Sequence, residues 1–363
     1  MASKSNSLCL LVFGILLIPA LVASSPYDPN IASGYPLQNP TIVENAASKG
    51  AVCLDGSPPA YHLSEGSGPT KDNWMVYLLG GAWCPTISDC LARKNGHLGS
   101  SIKWNITNSV QRFGGILHNS SHHNPDFRNW TKVMVRYCDG SSFTGDVEDV
   151  DPTTGLHFRG RRVFDAVVDD LLFSKGMKDA KEVLFTGGSA GGLAVIIHCD
   201  RFANHFPTTT KVKCLSDGGF FLHSNNPLQA RGLESIFRGT VGVHNSTGAL
   251  PKACVDRMKS SGREEYLCMF PQYIVGDIKT PLLVMATAYD SYQINETLSN
   301  SFYKAIKEVK ISPTQYRVLQ DFRLQFLDVV IGDWYFGRRC HIQEIDANPL
   351  VKNCSDKGFY INK

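Results

Sequence analysis

A glycine-rich turn around Ser189 carries the clearest chemical signal in the sequence. Residues 187–191 match the pattern Gly-x-Ser-x-Gly, between an apolar run that ends at Phe185 and another that begins at Leu193. This pattern describes a sharp strand-to-helix turn that exposes the serine hydroxyl at the end of a sheet, and its small residues let strand and helix approach closely. The turn therefore predicts that Ser189 is a nucleophile. An ordinary glycine-rich loop is the alternative, because the pattern alone does not identify a site.

Two further candidate groups follow predicted strands. The apolar run Trp74–Leu79 ends in Gly80-Gly81-Ala82, and the apolar run Thr280–Ala286 is followed by Asp290. A glycine pair at the end of a buried strand lets backbone N–H groups point into a cavity. In serine hydrolases of the α/β type, such a loop stabilises the developing oxyanion. The order of glycine loop, serine and acid matches that class, although a plain turn is the alternative for the loop.

Strand and helix patterns alternate along the chain. Arg159–Lys175 has apolar residues at helical spacing, Lys211–Asp217 has the pattern of a strand, and 296–309 and 313–336 have that of helices. This alternation predicts an α/β fold, α/β-hydrolase-like, with a mainly parallel sheet and helices on both faces. Catalytic groups in such folds lie at the carboxyl ends of the strands, which is where the three candidate groups fall.

Composition and charge exclude several classes of function. The 363 residues carry a net charge of +3, spread along the chain without a basic tract, so nucleic-acid binding is not expected. No Lys-Ser or Lys-Thr pair follows the glycines of the turn, which excludes a Walker-type phosphate loop. No cysteine–histidine group has the spacing of a zinc site. We therefore expect neither a metal nor a cofactor.

The N-terminus has the three parts of a secretory signal peptide. Lys4 provides a positive start, Leu8–Ile18 is apolar, and Pro19 is followed by small residues. Residues 1–25 are therefore predicted to be removed, which leaves 26–363 as a single secreted domain that is expected to be a monomer free of the membrane. A membrane anchor is the alternative, but the apolar run is short for a bilayer span.

Cysteine usage agrees with secretion. Of the 11 cysteines, one lies in the predicted signal peptide, and the others form an even set that indicates disulfides. Cys84 and Cys90 are close enough to close a small loop. Cys254 and Cys268 are expected to tie together an insertion at 224–272 that carries short helices. The glycosylation sequons, which mark candidate surface positions, begin at Asn105, Asn119, Asn129, Asn245, Asn295 and Asn353.

Longer blocks around these groups are more specific than the serine turn. They are Gly80–Cys84, Asn124–Phe127 with Trp130, Val135–Asp146, Gly188–Gly192, Ser216–Phe221 and Ala288–Gln293. Together they resemble the plant pectin acetylesterase family, which is related to the animal secreted esterase Notum. The resemblance runs from about residue 40 to the C-terminus and so covers nearly the whole mature chain.

The resemblance implies that acetyl esters of pectin in the plant cell wall are hydrolysed, with acetylated pectin polysaccharide as the partner. It implies Ser189 as the nucleophile and Asp290 as the acid of a catalytic triad. It also implies an oxyanion hole built from the backbone of Gly81, Ala82 and Ala190. The disulfides that it implies are Cys53–Cys138 and Cys84–Cys90.

The segment that carries the catalytic histidine in this family is missing from the chain. Val330 runs directly into Ile331, where family members carry a strand and a loop with that histidine. Only His341 follows Asp290, at a place where the family has no histidine of this role. A general base must lie within hydrogen-bond reach of the nucleophile, so His341 is retained only as a substitute base.

The same deletion bears on folding and on the remaining cysteines. The missing segment is expected to form the last strand, beside the strand that carries the acid. Without it, Cys340 and Cys354, together with Cys199 or Cys214, are expected to be unpaired or differently paired.

Three functions remain open at this point. The first is a pectin acetylesterase that acts through an acyl-serine intermediate. The second is a catalytically impaired relative that binds pectin without turnover, because the histidine is absent. The third is a lipid carboxylesterase like the animal relative. A deep apolar pocket beside Ser189 would favour the lipid, and a shallow groove with polar and aromatic walls would favour pectin.

Overall fold

The computed structural model of the chain describes residues 35–36, 39–102, 112–287, 290, 292–293, 315–320 and 327–338. The strands in chain order are β1 (Tyr35–Pro36), β2 (Thr41–Ile42), β3 (Ala60–Ser64), β4 (Trp74–Leu78), β5 (Arg112–Phe113), β6 (Thr131–Val135), β7 (Glu182–Gly188), β8 (Lys211–Asp217), β9 (Leu282–Thr287) and β10 (Gln315–Gln320). The α-helices are α1 (Ile87–Lys94), α2 (Gly160–Asp169), α3 (Ala190–Ala203), α4 (Pro227–His244), α5 (Lys252–Ser260) and α6 (Leu327–Phe336).

A mainly parallel sheet lies at the centre of the described residues. It has eight strands in the order β10-β9-β8-β7-β4-β6-β3-β2, while β1 and β5 form a separate antiparallel pair. The pairs from β10 to β6 are parallel, and β3 and β2 extend the sheet in antiparallel fashion. The predicted sheet is therefore confirmed, with its antiparallel strands at one edge.

The central strands β4 and β7 contain continuous apolar runs, Trp74–Leu78 and Val183–Phe185, because both faces of the sheet are covered. Met75 and Leu184 contribute to one core, and the next residues in their strands, Val76 and Phe185, contribute to the other. Successive side chains of a strand point to opposite faces, and strands buried on both faces have continuous apolar runs. Helices α2 and α3 pack on the second core and α6 on the first, so the predicted helices on both faces are confirmed.

Capping residues explain where two of the helices begin. The Thr86 side chain accepts a hydrogen bond from the Asp89 N–H at 3.1 Å, at the start of α1. The Asn226 side chain accepts one from the Leu228 N–H at 3.0 Å, and Pro227 occupies the first position of α4. Both arrangements satisfy N–H groups that have no partner within the helix. The insertion contains the predicted short helices, among them α5 with 9 residues, and also α4, which at 18 residues is longer than predicted.

The C-terminal part of the sheet differs from the sequence-based expectation. Gln315–Gln320, predicted to be helical, is strand β10 and pairs in parallel with β9. The missing segment was expected to supply the strand beside the acid strand, but β10 occupies that place. An unpaired strand edge exposes N–H and C=O groups that a nearby chain segment can satisfy. The junction between Val330 and Ile331 lies within the continuous helix α6, and the predicted helix at 296–309 lies outside the described residues.

The described residues contain four disulfides. The predicted pairs Cys53–Cys138, Cys84–Cys90 and Cys254–Cys268 are confirmed. The fourth joins Cys199 to Cys214. One of these two was expected to be unpaired or differently paired, and the structure leaves neither of them unpaired. Helix α3 packs against β8 within the same unit, and this contact does not depend on the segment that is missing. Cys340 and Cys354 lie outside the described residues.

Three of the candidate glycosylation sequons lie within the described residues. Asn119 and Asn245 are exposed and Asn129 is half-buried, as candidate glycosylation sites require, while the other sequons lie outside the described residues. Within the part of the chain that the structure describes, no helix is long and apolar enough to cross a bilayer. The predicted signal peptide lies outside that part.

Replacing both Cys199 and Cys214 by alanine should lower the free energy of unfolding by about 3 kcal/mol, because a cross-link that closes a loop of this length restricts the unfolded chain. The separation of the two cysteines is 15 residues. Urea denaturation monitored by tryptophan fluorescence measures the change. Alkylation of unfolded, non-reduced wild-type protein is the control, and labelling of Cys199 or Cys214 there would contradict the pairing.

Candidate active site

Ser189 occupies a strained turn between β7 and α3. Its φ is 55° and its ψ is −125°, a positive φ that is uncommon for a residue other than glycine. The Ser189 N–H donates to the Asp217 carbonyl at 2.8 Å, and the Ser189 carbonyl accepts from the Leu193 N–H at 2.9 Å. The serine itself is exposed. This is the strand–turn–helix geometry that the sequence pattern predicts.

Glycines flank Ser189 because there is no room for side chains. A Cβ added to Gly187 would lie 2.7 Å from the Gly191 carbonyl oxygen, and one added to Gly191 would lie 2.2 Å from the Leu78 carbonyl oxygen. Both distances are too short for any real Cβ contact. The close approach of β7, α3 and β4 therefore fixes the glycines of the pattern.

The glycine loop after β4 lies directly against the serine turn. A Cβ added to Gly80 would lie 2.4 Å from the Gly188 carbonyl oxygen and 2.9 Å from the Ala190 nitrogen. Ala82, in the same loop, has a φ of 53°. The structure thus brings the glycine loop, Ser189 and the first residue of α3 together, as the sequence predicts.

Side chains hold the carbonyl groups of this loop. The Tyr137 hydroxyl donates to the Ala82 carbonyl at 2.7 Å. The Arg93 guanidinium donates to the Gly81 carbonyl at 2.5 Å and to the Trp83 carbonyl at 2.7 Å. None of the backbone–backbone hydrogen bonds among the described residues uses the N–H of Gly81 or Ala82.

A buried hydrogen-bond chain connects the loop to helix α3. The Trp83 indole N–H donates to the Ser142 hydroxyl at 2.7 Å, and this hydroxyl donates to the Ala190 carbonyl at 2.7 Å. The Ser142 N–H also donates to the Tyr137 hydroxyl at 2.9 Å. The sequence analysis did not identify Tyr137, Ser142 or Arg93. Tyr137 and Ser142 lie in the block Val135–Asp146, which resembles the family, so that resemblance could have pointed to them.

Asp290 follows β9, as predicted, and Gln293 contacts both of its carboxylate oxygens. The Gln293 N–H donates at 3.1 Å and its side-chain amide donates at 3.3 Å. The same amide donates to the Phe220 carbonyl and accepts from the Leu222 N–H. Burial raises the pKa of Asp290, while the hydrogen bonds from Gln293 oppose that rise. Gln293 thus orients the carboxylate against the loop after β8.

Asp217, the last residue of β8, is a second carboxylate at this edge of the sheet. The surrounding protein partly desolvates it, and this effect, followed by the nearby charge of Asp290, raises its pKa to about 6. Its side chain retains access to solvent. Burial and the charge of Asp217 also raise the pKa of Tyr77 on β4. Asp217 could have been identified from the sequence, because it lies at the end of a predicted strand, before Gly218 and Gly219.

No histidine among the described residues hydrogen-bonds to Ser189 or Asp290. All of the 11 histidines except His341 lie within the described residues. Burial lowers the pKa of His198 to about 3 and that of His244 to about 4, and each bonds to a backbone carbonyl elsewhere. The substitute base considered from sequence, His341, lies outside the described residues.

One cysteine–histidine group is present in the described part of the chain. The side chains of Cys84, Cys90 and His244 approach within 4.8 Å of one another and are buried. The two sulfurs are joined in a disulfide, so they are not the thiolates that bind transition metals. The group therefore does not offer a metal site in this form.

Comparison with known proteins gives consistent results. The pectinacetylesterase family model matches residues 32–333. Pectin acetylesterase 11 of Arabidopsis thaliana is 45% identical over 295 residues, which are 79% of this chain and 73% of that protein. Pectin acetylesterase 7 of the same plant is 44% identical over the same shares. The structure of the Wnt deacylase Notum from Drosophila superposes with a TM-score of 0.71 at 21% identity, over 86% of this chain and 97% of that one. The α/β-hydrolase-like fold is thereby confirmed.

Replacing Asp217 by asparagine should raise the melting temperature at pH 7. A carboxyl whose pKa rises from 3.8 to about 6 on folding binds more protons in the folded state between these values, so its ionisation costs stability as the pH rises through 6. Solvent screening limits the gain to about 1 kcal/mol. Thermal unfolding at pH 7 and pH 4 measures it, and the difference should vanish at the lower pH.

Asp256→Asn is the matched control, because Asp256 pairs with Lys252 on the surface and its loss should not stabilise the protein. A melting temperature of Asp217→Asn that is unchanged or lower at pH 7 would contradict the proposed electrostatics of the site.

Proposed function

This chain belongs to the pectinacetylesterase family, and we propose that it removes acetyl groups from pectin through an acyl-serine intermediate on Ser189. Membership makes it a carboxylic ester hydrolase by class. The observation that carries the proposal is the positive φ of the exposed Ser189, at the junction of β7 and α3. In this geometry a serine hydroxyl stands clear of the sheet, where an ester can reach it.

In the proposed reaction, the Ser189 hydroxyl oxygen attacks the acetyl carbonyl carbon, and the pectin hydroxyl leaves. Water then cleaves the acetyl–serine ester, which releases acetate. The oxyanion formed in both steps accepts hydrogen bonds from the N–H groups of Gly81, Ala82 and Ala190. Ala190 is the first residue of α3, so the partial positive charge of the helix N-terminus favours the same anion.

Proton transfer is the step of the proposed mechanism for which the described residues offer no histidine. Attack requires a base that takes the Ser189 proton and later returns it to the leaving group. Asp290 is positioned to be the acid of a triad, but none of the described histidines connects it to Ser189. Loss of the histidine alone costs on the order of a million-fold in kcat in a well-studied serine protease. We therefore propose slow turnover that an external base accelerates.

Aromatic packing beside the loop supports a short acyl group. Trp83 packs edge to face on Phe221 and Phe237, with ring centroids 4.8 and 4.9 Å apart, and all three rings are buried. Rings at these distances leave no space between them for an alkyl chain. We propose that these rings, which lie next to the glycine loop, leave room for an acetyl group and not for the long acyl chain of a lipid ester.

The second candidate is a pectin-binding protein without turnover. The observation that favours it is the absence of a histidine contact to Ser189 and Asp290 among the described residues. It shares with the first candidate the polysaccharide partner, the secretory route and the plant cell wall as the place of action, which the predicted signal peptide and the disulfides support. The two candidates differ only in whether acetate is released.

Acetate release from acetylated pectin should be slow for the wild-type chain and should increase with added imidazole, because imidazole can occupy the place of the missing side chain between Ser189 and Asp290. Ser189→Ala should abolish release with and without imidazole. Ser261→Ala is the matched control, because its hydroxyl bonds only to backbone carbonyls of α5, and it should behave as wild type.

Release that survives Ser189→Ala would refute Ser189 as the nucleophile. Binding of acetylated oligogalacturonide with no release, even in imidazole, would support the second candidate over the first.

A further inference from the structure

Arg93 holds the glycine loop through a guanidinium that has no carboxylate partner within the described residues. Its two terminal nitrogens donate to the carbonyls of Gly81 and Trp83 at 2.5 and 2.7 Å. Among the described residues, no acidic side chain lies within ion-pair distance of Arg93. The side chain is half-buried, so water screens this charge only partly.

The first of these hydrogen bonds acts on a peptide group that belongs to the loop. The Gly81 carbonyl and the Ala82 N–H are the two ends of one peptide unit, and in a trans peptide they point in opposite directions. No cis peptide is present in the described chain. The Ala82 N–H therefore points away from Arg93. A charged donor at one end of a peptide polarises it, and its other end becomes a stronger donor.

Helix α1 fixes the position of the guanidinium. Cys90 and Arg93 are three residues apart and so lie on the same side of α1. The disulfide from Cys90 to Cys84 ties that side to the residue next to Trp83. The side chain of Thr86, two residues after Cys84, caps α1 and so fixes where the helix begins. Arg93 thus contacts the loop from a helix whose position is fixed by the disulfide and by the cap.

We propose that Arg93 is a positioning residue of the oxyanion hole, which turns the Gly81–Ala82 peptide toward the substrate and strengthens the Ala82 N–H as a donor. The inference rests on the proposed esterase function, since it assigns Ala82 to the oxyanion hole. Arg93 contacts neither substrate nor Ser189. Its effect belongs to the transition state, where negative charge develops on the ester oxygen.

A backbone amide measurement tests the polarisation without any turnover. Labelling the full chain with carbonyl-¹³C glycine and ¹⁵N alanine selects Gly–Ala peptides, which are Gly50–Ala51, Gly81–Ala82 and Gly248–Ala249. Loss of one signal in Ala82→Gly assigns the resonance of Ala82. Arg93→Gln should move the amide proton of Ala82 upfield and leave the other two in place.

The chain offers a matched control for this shift. Arg161 donates to the Gly248 carbonyl at 3.4 Å, so Arg161→Gln should affect the Ala249 amide and leave that of Ala82 unchanged. An Ala82 amide that does not move in Arg93→Gln, in protein with a wild-type melting curve, would overturn the proposal. If Arg93→Gln does not fold, Arg93→Lys takes its place. A smaller upfield shift is expected for this variant, because lysine retains the positive charge but does not have the two-nitrogen geometry of the guanidinium.

Kinetics separates polarisation from simple clamping of the loop. In the imidazole-supported reaction with an aryl acetate, Arg93→Gln should lower kcat about 10-fold with little change in KM, because one donor is weakened and not removed. Arg93→Lys should lie between Arg93→Gln and wild type. Equal losses in both variants, or a change confined to KM, would overturn the electrostatic role. If wild type releases no acetate, the proposed function fails, and the amide shift still decides the role of Arg93.

Discussion

The hydrogen bond from the Ser189 N–H to the Asp217 carbonyl holds the turn on which the rest of the site depends. It ties the end of β7 to the end of β8 at 2.8 Å while Ser189 keeps a φ of 55°. A conformation of this kind costs free energy and persists only where the surroundings determine it. Glycines on either side, and the loop after β4 pressed against the turn, are consequences of that constraint.

Within the described residues, Asp290 has the hydrogen bonds that orient its carboxylate, but no histidine connects it to Ser189. Gln293 orients the Asp290 carboxylate, and the charge of Asp290 contributes to the raised pKa of Asp217. In a full triad, the imidazolium formed during attack offsets the charge of the acid. Among the described residues no such cation lies between the two strands, and the charge of Asp290 acts on Asp217 directly.

The sequence predicts the parts of the site that local geometry determines. The turn at Ser189 and the strand end before Asp290 follow from apolar runs and small residues, which describe short stretches of chain. Arg93 and Gln293 could not be predicted in this way, because their roles arise from contacts between distant elements. Strand β10 was missed for a related reason: its residues are paired because β9 offers a free edge, and no pattern within 313–336 reports on that edge.

Mass spectrometry of the chain after brief exposure to an aryl acetate tests the central claim most directly. Without a base, hydrolysis of the acyl intermediate is slow, so the acetyl group should accumulate on the tryptic peptide Glu182–Arg201, whose only serine is Ser189. Imidazole should shorten the lifetime of this adduct. Acetate release with no acetyl group on that peptide would contradict the account, as would an adduct that persists in Ser189→Ala.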